Sequence, residues 1–594
     1  MQVFDFIDKN LMKELISVSM GEKSPDTVIK NGTVLNVFTK KLEKADVAVH
    51  KNFIVGYGDD FKISDKTKVI DASGLTLVPG FIDGHIHYEV TKLSLAMFAK
   101  LVVPFGTTAI ITGLDETYTV LGKKGIEETL KESKNVPLTV FYGVPSKLPY
   151  TIPSSTLRYE LNYKEAAKLL PKNYSWGVWE TVAEFITNRD KDILSSLELA
   201  RRLHKPIFGC LPLASKQKIN SALIAGVVLD HESYSPEEMY EKARNGMYVM
   251  IRESSVTHFL KKNINVIKKY GLSPDRVGIC TDDVYAKDVI GAGHINRVVK
   301  MLIDEGIPHE DAYRMASYNV ASMYRIDDLV GSISPGKLAN IIFLNNYESV
   351  SIRGVMSKGF LVSWEGKYLY EFKPQERPKF MINTFSKAKA ITEEKIYVKT
   401  RSKKAKVISI EVNDQNPFRR LGKIIDVDAV NGEILPDPSK DLLYGVVVER
   451  HKGTGNVATA FVSGFGLKEG AMASSSAPDD NNIVSVGTNK KDITVAVNTI
   501  IKNQGGMAIA KNGSIIKFLH LPIGGILGDI DPGDLAREEK EFDKTAQELG
   551  SNLSSAISTM TFLPVTAIPD YALTDKGLVD CINLKVISPV IESI

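Results

Sequence analysis

Three cysteines, Cys210, Cys280 and Cys581, are all that 594 residues contain. Thiols so few and so widely spaced cannot make a disulfide framework, which sets aside the small secreted folds that depend on one. Excess charge of one sign is also missing: the formal net charge is +3, with lysine and arginine spread along the chain. No nucleic-acid or membrane-surface partner is therefore expected, and a small molecule is the expected ligand. No apolar run of about 18 residues and no charged-apolar-small leader pattern occurs, so a soluble cytoplasmic protein is expected. Tandem repeats and low-complexity tracts are absent too.

What is present is length and alternation. At roughly 150 residues per domain, the chain should hold three or four folding units. Residues 1–24 contain a stretch from Phe4 to Val18 with Ile7, Leu11, Leu15 and Val18 at the spacing of a docked amphipathic helix. Residues 25–78 read as short strands between turns at Asn31-Gly32, Gly58-Asp59-Asp60 and Ser73-Gly74, and similar strand material returns over 331–370. Together they predict a small composite β-sandwich domain built from both sides of an insertion. The insertion, 79–330, alternates apolar strand candidates (107–112, 138–142, 206–209, 226–229, 248–251 and 277–280) with helical patterns. Ser235-Pro236-Glu237-Glu238, for example, supplies an N-cap, a proline at the first helical position and a capping glutamate, and Gly246 ends that helix. The pattern predicts an α/β fold with a TIM-like (β/α)8 barrel, whose chemistry sits at the C-terminal ends of the strands. Residues 371–405, Lys-rich with Pro374 and Pro378, read as a linker or docking segment. Residues 406–594 read as a C-terminal α+β domain with one strong helix from Asp531-Pro532 to Gly550.

The most informative stretch is Pro79-Gly-Phe-Ile-Asp-Gly-His85-Ile-His87. In a strand, side chains alternate sides, so His85 and His87 face the same way and can close on one metal ion. Predicted strand ends downstream add Glu180, Cys210, His231 and Asp282. Imidazole, carboxylate and thiolate together suit a divalent metal such as manganese, iron or zinc. Each of these residues alone also reads as structural: Glu180 as a solvated acid, His231 as a capped loop histidine, Asp282 as an N-cap. Their common position at the strand ends of one array is what favours a site.

The chain resembles the adenine deaminase family of the amidohydrolase superfamily along nearly its whole length. The resemblance lies in Pro79–His87, Phe105-Gly-Thr-Thr108, Leu229-Asp-His-Glu232, Asn245–Glu253, Cys280-Thr-Asp-Asp283 with Gly293-His294, and Val447–Asn456. It implies a metal-dependent (β/α)8 barrel with a C-terminal domain peculiar to these deaminases, and metal ligands at His85, His87, Glu180, His231 and Asp282. It also implies deamination of adenine to hypoxanthine and ammonia by metal-activated water, with Asp282 moving the proton and Glu116 and His231 polarising the purine base. Four family histidines are replaced. A Gly-His-Ala-Pro-Gly segment reads Gly209-Cys210-Leu-Pro-Leu213, an Asp-Pro-His-Glu segment reads Gly113-Leu-Asp115-Glu116, and a His-Asp-Ser-His-Asn segment reads Pro478-Asp-Asp-Asn-Asn482. A thiolate at Cys210 would complete a second metal site, and a neutral buried thiol would leave one metal per chain. The losses keep two alternatives in view: a related amidohydrolase acting on another cyclic amidine or amide, and a catalytically silent homologue. The metal identity, with manganese preferred, and a homo-oligomeric state are left open by the sequence.

Overall fold

The structure is a computed structural model describing residues 7–591 apart from 60, 151–154, 373–375, 415–418 and 569. Phe4, Asp60 and Pro374, named above, lie outside the described residues. Among the described residues, no helix is long and apolar enough to cross a membrane.

Eight strands follow one another around the central sheet: β1 (Phe81–Asp83), β2 (Thr107–Thr112), β3 (Thr139–Pro145), β4 (Ser175–Val182), β5 (Ile207–Cys210), β6 (Val227–Asp230), β7 (Tyr248–Arg252) and β8 (Val277–Cys280). Each pairs in parallel with its sequence neighbour. All six residues of β2 are buried, as expected of strands covered on both faces by barrel layers and outer helices. The first and last strands are joined by backbone bonds just past their ends: Gly84 N–H to Ile279 O at 3.3 Å, Asp282 N–H to His85 O at 2.8 Å and His87 N–H to Asp282 O at 3.0 Å. The barrel thus closes on the residues predicted to bind metal.

Around the barrel, chain from both its flanks forms a two-sheet unit. Thr76–Pro79, which leads into β1, pairs antiparallel with Ile341–Asn346, which follows the barrel. A second sheet carries Thr27–Lys30, Asp46–His50, Phe53–Gly58 and Lys68–Asp71. Ile29, Val49, Ile54, Leu77, Ile341 and Phe343 belong to one buried cluster in this unit. The N-terminal helix, Lys9–Ser19, is capped by the Asp8 carboxylate and buries Leu15 and Val18.

The C-terminal region is a mostly antiparallel ten-stranded sheet with the helix Lys490–Lys502 packed against it. The segment read as a linker or docking stretch docks here: Phe385, Ile391, Ile396 and Val398 join this core. The long helix is Pro532–Glu548, with Leu535, Phe542 and Ala546 buried. It also braces the barrel, because Glu539 accepts the Lys287 backbone N–H at 2.9 Å and lies 3.4 Å from the buried Lys92 ammonium.

Candidate metal centre at the barrel mouth

The barrel closure positions the site. His85 and His87 stand on the chain leaving β1, and the Asp282 backbone is bonded to both His85 and His87. His85 Nε2 lies 3.4 Å from Glu180 Oε1 and 3.6 Å from Asp282 Oδ1, and His87 Nε2 lies 3.7 and 3.6 Å from the same two oxygens. His231 Nε2 is 3.5 Å from Glu180 Oε1. Three groups of donor atoms lie within 4.8 Å of one another: His85, His87 and Glu180; His85, His231 and Asp282; and Glu180, Cys210 and His231. All six metal-ligand candidates from the sequence therefore converge. Glu180 and Asp282 hold left-handed backbone angles, φ +28° and +63°, a conformation that non-glycine residues adopt against a strain of about 1–3 kcal/mol each, mostly at functional sites.

The surroundings explain the orientation of each candidate ligand. His85 is fully buried, stacked between Trp179 at 4.0 Å and His231 at 3.6 Å between ring centroids. Neither of its ring nitrogens has a hydrogen-bond partner. A buried imidazole without one, facing two carboxylates, is what a divalent ion would satisfy, so the donor set fits a metal. His231 Nδ1 bonds Gly209 O at 3.2 Å, which turns Nε2 toward the site. His87 Nδ1 lies 3.2 Å from the Asp115 carboxylate, which also accepts the Tyr150 hydroxyl at 3.2 Å. A carboxylate behind a ligating histidine fixes its tautomer and raises its basicity. Asp282 presents Oδ1 to the imidazoles while Arg252 binds Oδ2, and Arg252 is held in turn by Glu232 at 2.6 Å.

Electrostatics follow from this packing. Burial opposes the charged form of His87, yet the Asp115 and Glu180 carboxylates hold its pKa well above the usual imidazole value. Burial would raise Asp282, but Arg252 and the facing imidazoles bring it down to about 2. Cys210 moves the other way: burial, then the Glu180 and Glu232 carboxylates, push its thiol well up. Glu116 is also raised, by burial and by Asp115 and Asp479. It lies outside the metal-binding groups, where its Oε1 accepts the Asp479 backbone N–H at 3.0 Å and its Oε2 the Asn481 amide. The C-terminal loop 478–482 is thereby tied to the barrel mouth.

Asp115, Tyr150 and Arg252 were not legible as site residues. Asp115 occupies the position of a family histidine and Arg252 lies inside a quoted motif, but what each does depends on partners brought together only by folding.

An eight-stranded parallel barrel with imidazoles and carboxylates converging at its strand ends defines a metal-dependent hydrolase of the amidohydrolase type. Residues 76–362 match the amidohydrolase family, and residues 422–585 match the adenine deaminase C-terminal domain. The chain is 42% identical over 98% of its length, and 99% of the relative's, to adenine deaminase 1 of Desulfotalea psychrophila. It is 41% identical to adenine deaminase 4 of Rhizobium meliloti, with 97% of each chain covered, and 41% identical to adenine deaminase 1 of Latilactobacillus sakei, with 98% of each covered. The protein belongs to the adenine deaminase family.

Proposed function

We propose that this protein hydrolyses the exocyclic amine of adenine, so that adenine and water give hypoxanthine and ammonia. The observation that carries the reading is the convergence of the His85, His87, Glu180, His231 and Asp282 donor atoms in a chain 42% identical, nearly end to end, to a curated adenine deaminase. These five residues would hold one divalent ion, and the Cys210 thiol, pushed well up by burial and the neighbouring carboxylates, stays a neutral neighbour of the site. Imidazole and carboxylate together suit manganese, and iron or zinc as substitutes. When bound, such an ion lowers the pKa of water to roughly 7 and so supplies a nucleophile at neutral pH.

The chain's own groups do the rest. Asp282, with Oδ2 held by Arg252, has Oδ1 directed at the site to take the water proton and hand it to the departing ammonia. His231, fixed through Nδ1, turns Nε2 inward with its lone pair toward the ion. Glu116, raised by burial and by Asp115 and Asp479, accepts the two N–H groups of the C-terminal loop at the barrel mouth and is the candidate for polarising a ring nitrogen. Asp115 and Tyr150 keep the His87 ring in place. Such an enzyme would serve purine salvage in the cytoplasm.

The test is ammonia release from a panel of aminopurines and cyclic amides by manganese-loaded protein. Adenine should be the preferred substrate. Preference for a cyclic amide would move the reading to another amidohydrolase activity, and silence across the panel would make the chain a non-catalytic homologue.

A further inference from the structure

Lys242 is a lysine whose side chain is wholly buried, on the helix Pro236–Arg244 that follows β6. Lysine is almost never fully buried unless paired, and one carboxylate would suffice to pair it. Here the ammonium lies within hydrogen-bonding distance of five oxygens: Leu211 O at 2.7 Å, Asp230 Oδ2 at 2.8 Å, Glu232 O at 2.5 Å, Ser233 Oγ at 3.1 Å and Glu238 Oε1 at 2.8 Å. Its three N–H groups cannot serve all five at once, so the cluster is held by one shared cation.

Which chain positions these oxygens belong to matters more than their number. Leu211 follows Cys210, and Asp230 and Glu232 flank His231. Asp230 also uses Oδ1 to accept the Leu211 backbone N–H at 2.8 Å, and Gly209 O accepts the His231 ring. Cys210 and His231, at the ends of neighbouring strands, are thus each flanked on both sides by groups bonded across the strand pair. The Glu232 carboxylate extends the lattice through Arg252 to Asp282.

We infer that Lys242 is a positioning residue that clamps the Cys210 and His231 strand ends together, so that the His231 imidazole faces the metal site. The ammonium touches none of the metal-donor atoms and acts only through the groups it holds. The inference rests on the metal-site reading above and is independent of the substrate.

Its test is manganese affinity of the full chain, measured by competition with a chelator. Lys242→Met keeps the apolar stem and removes the cation. It should bind manganese about 10- to 100-fold more weakly, the usual effect of removing an outer-shell partner, with an unchanged circular dichroism spectrum. Asp230→Asn keeps an acceptor for Leu211 and gives up the charged oxygen that faces the Lys242 ammonium. It should lose roughly 3- to 10-fold, and it carries the test if Lys242→Met does not fold. In a His231→Ala background, Lys242→Met should cost less affinity than it does in wild type, because the clamp acts chiefly through that ring. Unchanged affinity in the single variants, or the same loss with and without His231, would overturn the inference. Wild-type protein that binds manganese tightly yet releases no ammonia from adenine would refute the substrate reading alone, and wild-type protein that binds no divalent ion would overturn both.

Discussion

Replacing Asp115 by asparagine isolates the carboxylate behind His87. The side chain is 3% exposed and lies 3.2 Å from His87 Nδ1, so the contact is shielded from bulk water. Asparagine is nearly isosteric and can still accept from Nδ1–H through its carbonyl, while its amide can meet the Tyr150 hydroxyl as an acceptor. What disappears is the charge. Hydrogen bonds to an ionised partner contribute about 1.5–3 kcal/mol and neutral ones about 0.5–1.5 kcal/mol, so the exchange forfeits about 1–1.5 kcal/mol. That corresponds to about tenfold in metal affinity, and Asp115→Ala, which leaves His87 without any partner, should approach the 100-fold end of outer-shell effects. Manganese titration against a chelator measures both. Affinities within twofold of wild type in both variants, with binding abolished in His87→Ala, would refute the claim that Asp115 tunes this ligand.

Three further outcomes are expected. A methyl group at Gly113 would lie 2.2 Å from Trp179 Cδ1 and 2.4 Å from its Nε1, so Gly113→Ala must drive that indole from its stack on His85; overpacking of this kind costs about 1–3 kcal/mol, readable as a lower Tm with altered tryptophan fluorescence. Asp282→Asn at matched metal occupancy should lower turnover about 100- to 10,000-fold, and near wild-type turnover would exclude Asp282 as the proton carrier. Cys210→Ser should leave metal content at one per chain, because the buried thiol beside Glu180 resists ionisation; two metals in wild type and one in the variant, by elemental analysis, would show that the thiolate is a ligand.

The barrel and the candidate ligand set were legible because two periodicities carry them. Period-two alternation put His85 and His87 together, and parallel strand repeats marked Glu180, Cys210, His231 and Asp282 as strand ends, where barrels keep their chemistry. The fixed backbone bonds across the closure then do locally what the alternation predicts. Contacts between distant segments were not legible. Glu116 meets Asp479 across 363 residues, and nothing in either stretch announces the other. Phe385, Ile391, Ile396 and Val398 share no single helical or strand period, so the sequence could not say which core they enter, and the structure buries them in the C-terminal one. In the sequence Lys242 is one of several charged residues on the helix Pro236–Arg244, and burial of an ammonium shows only once its acceptors converge.

The central claim, that this site deaminates adenine with the help of a bound metal, is tested most directly by following adenine in the presence of manganese-loaded protein. Hypoxanthine and ammonia should appear in equal amounts as adenine is consumed, the reaction should stop when a chelator strips the ion, and added manganese should restore it. Adenine left intact by fully metal-loaded, folded protein, or consumed at the same rate after the metal has been removed, would contradict the account.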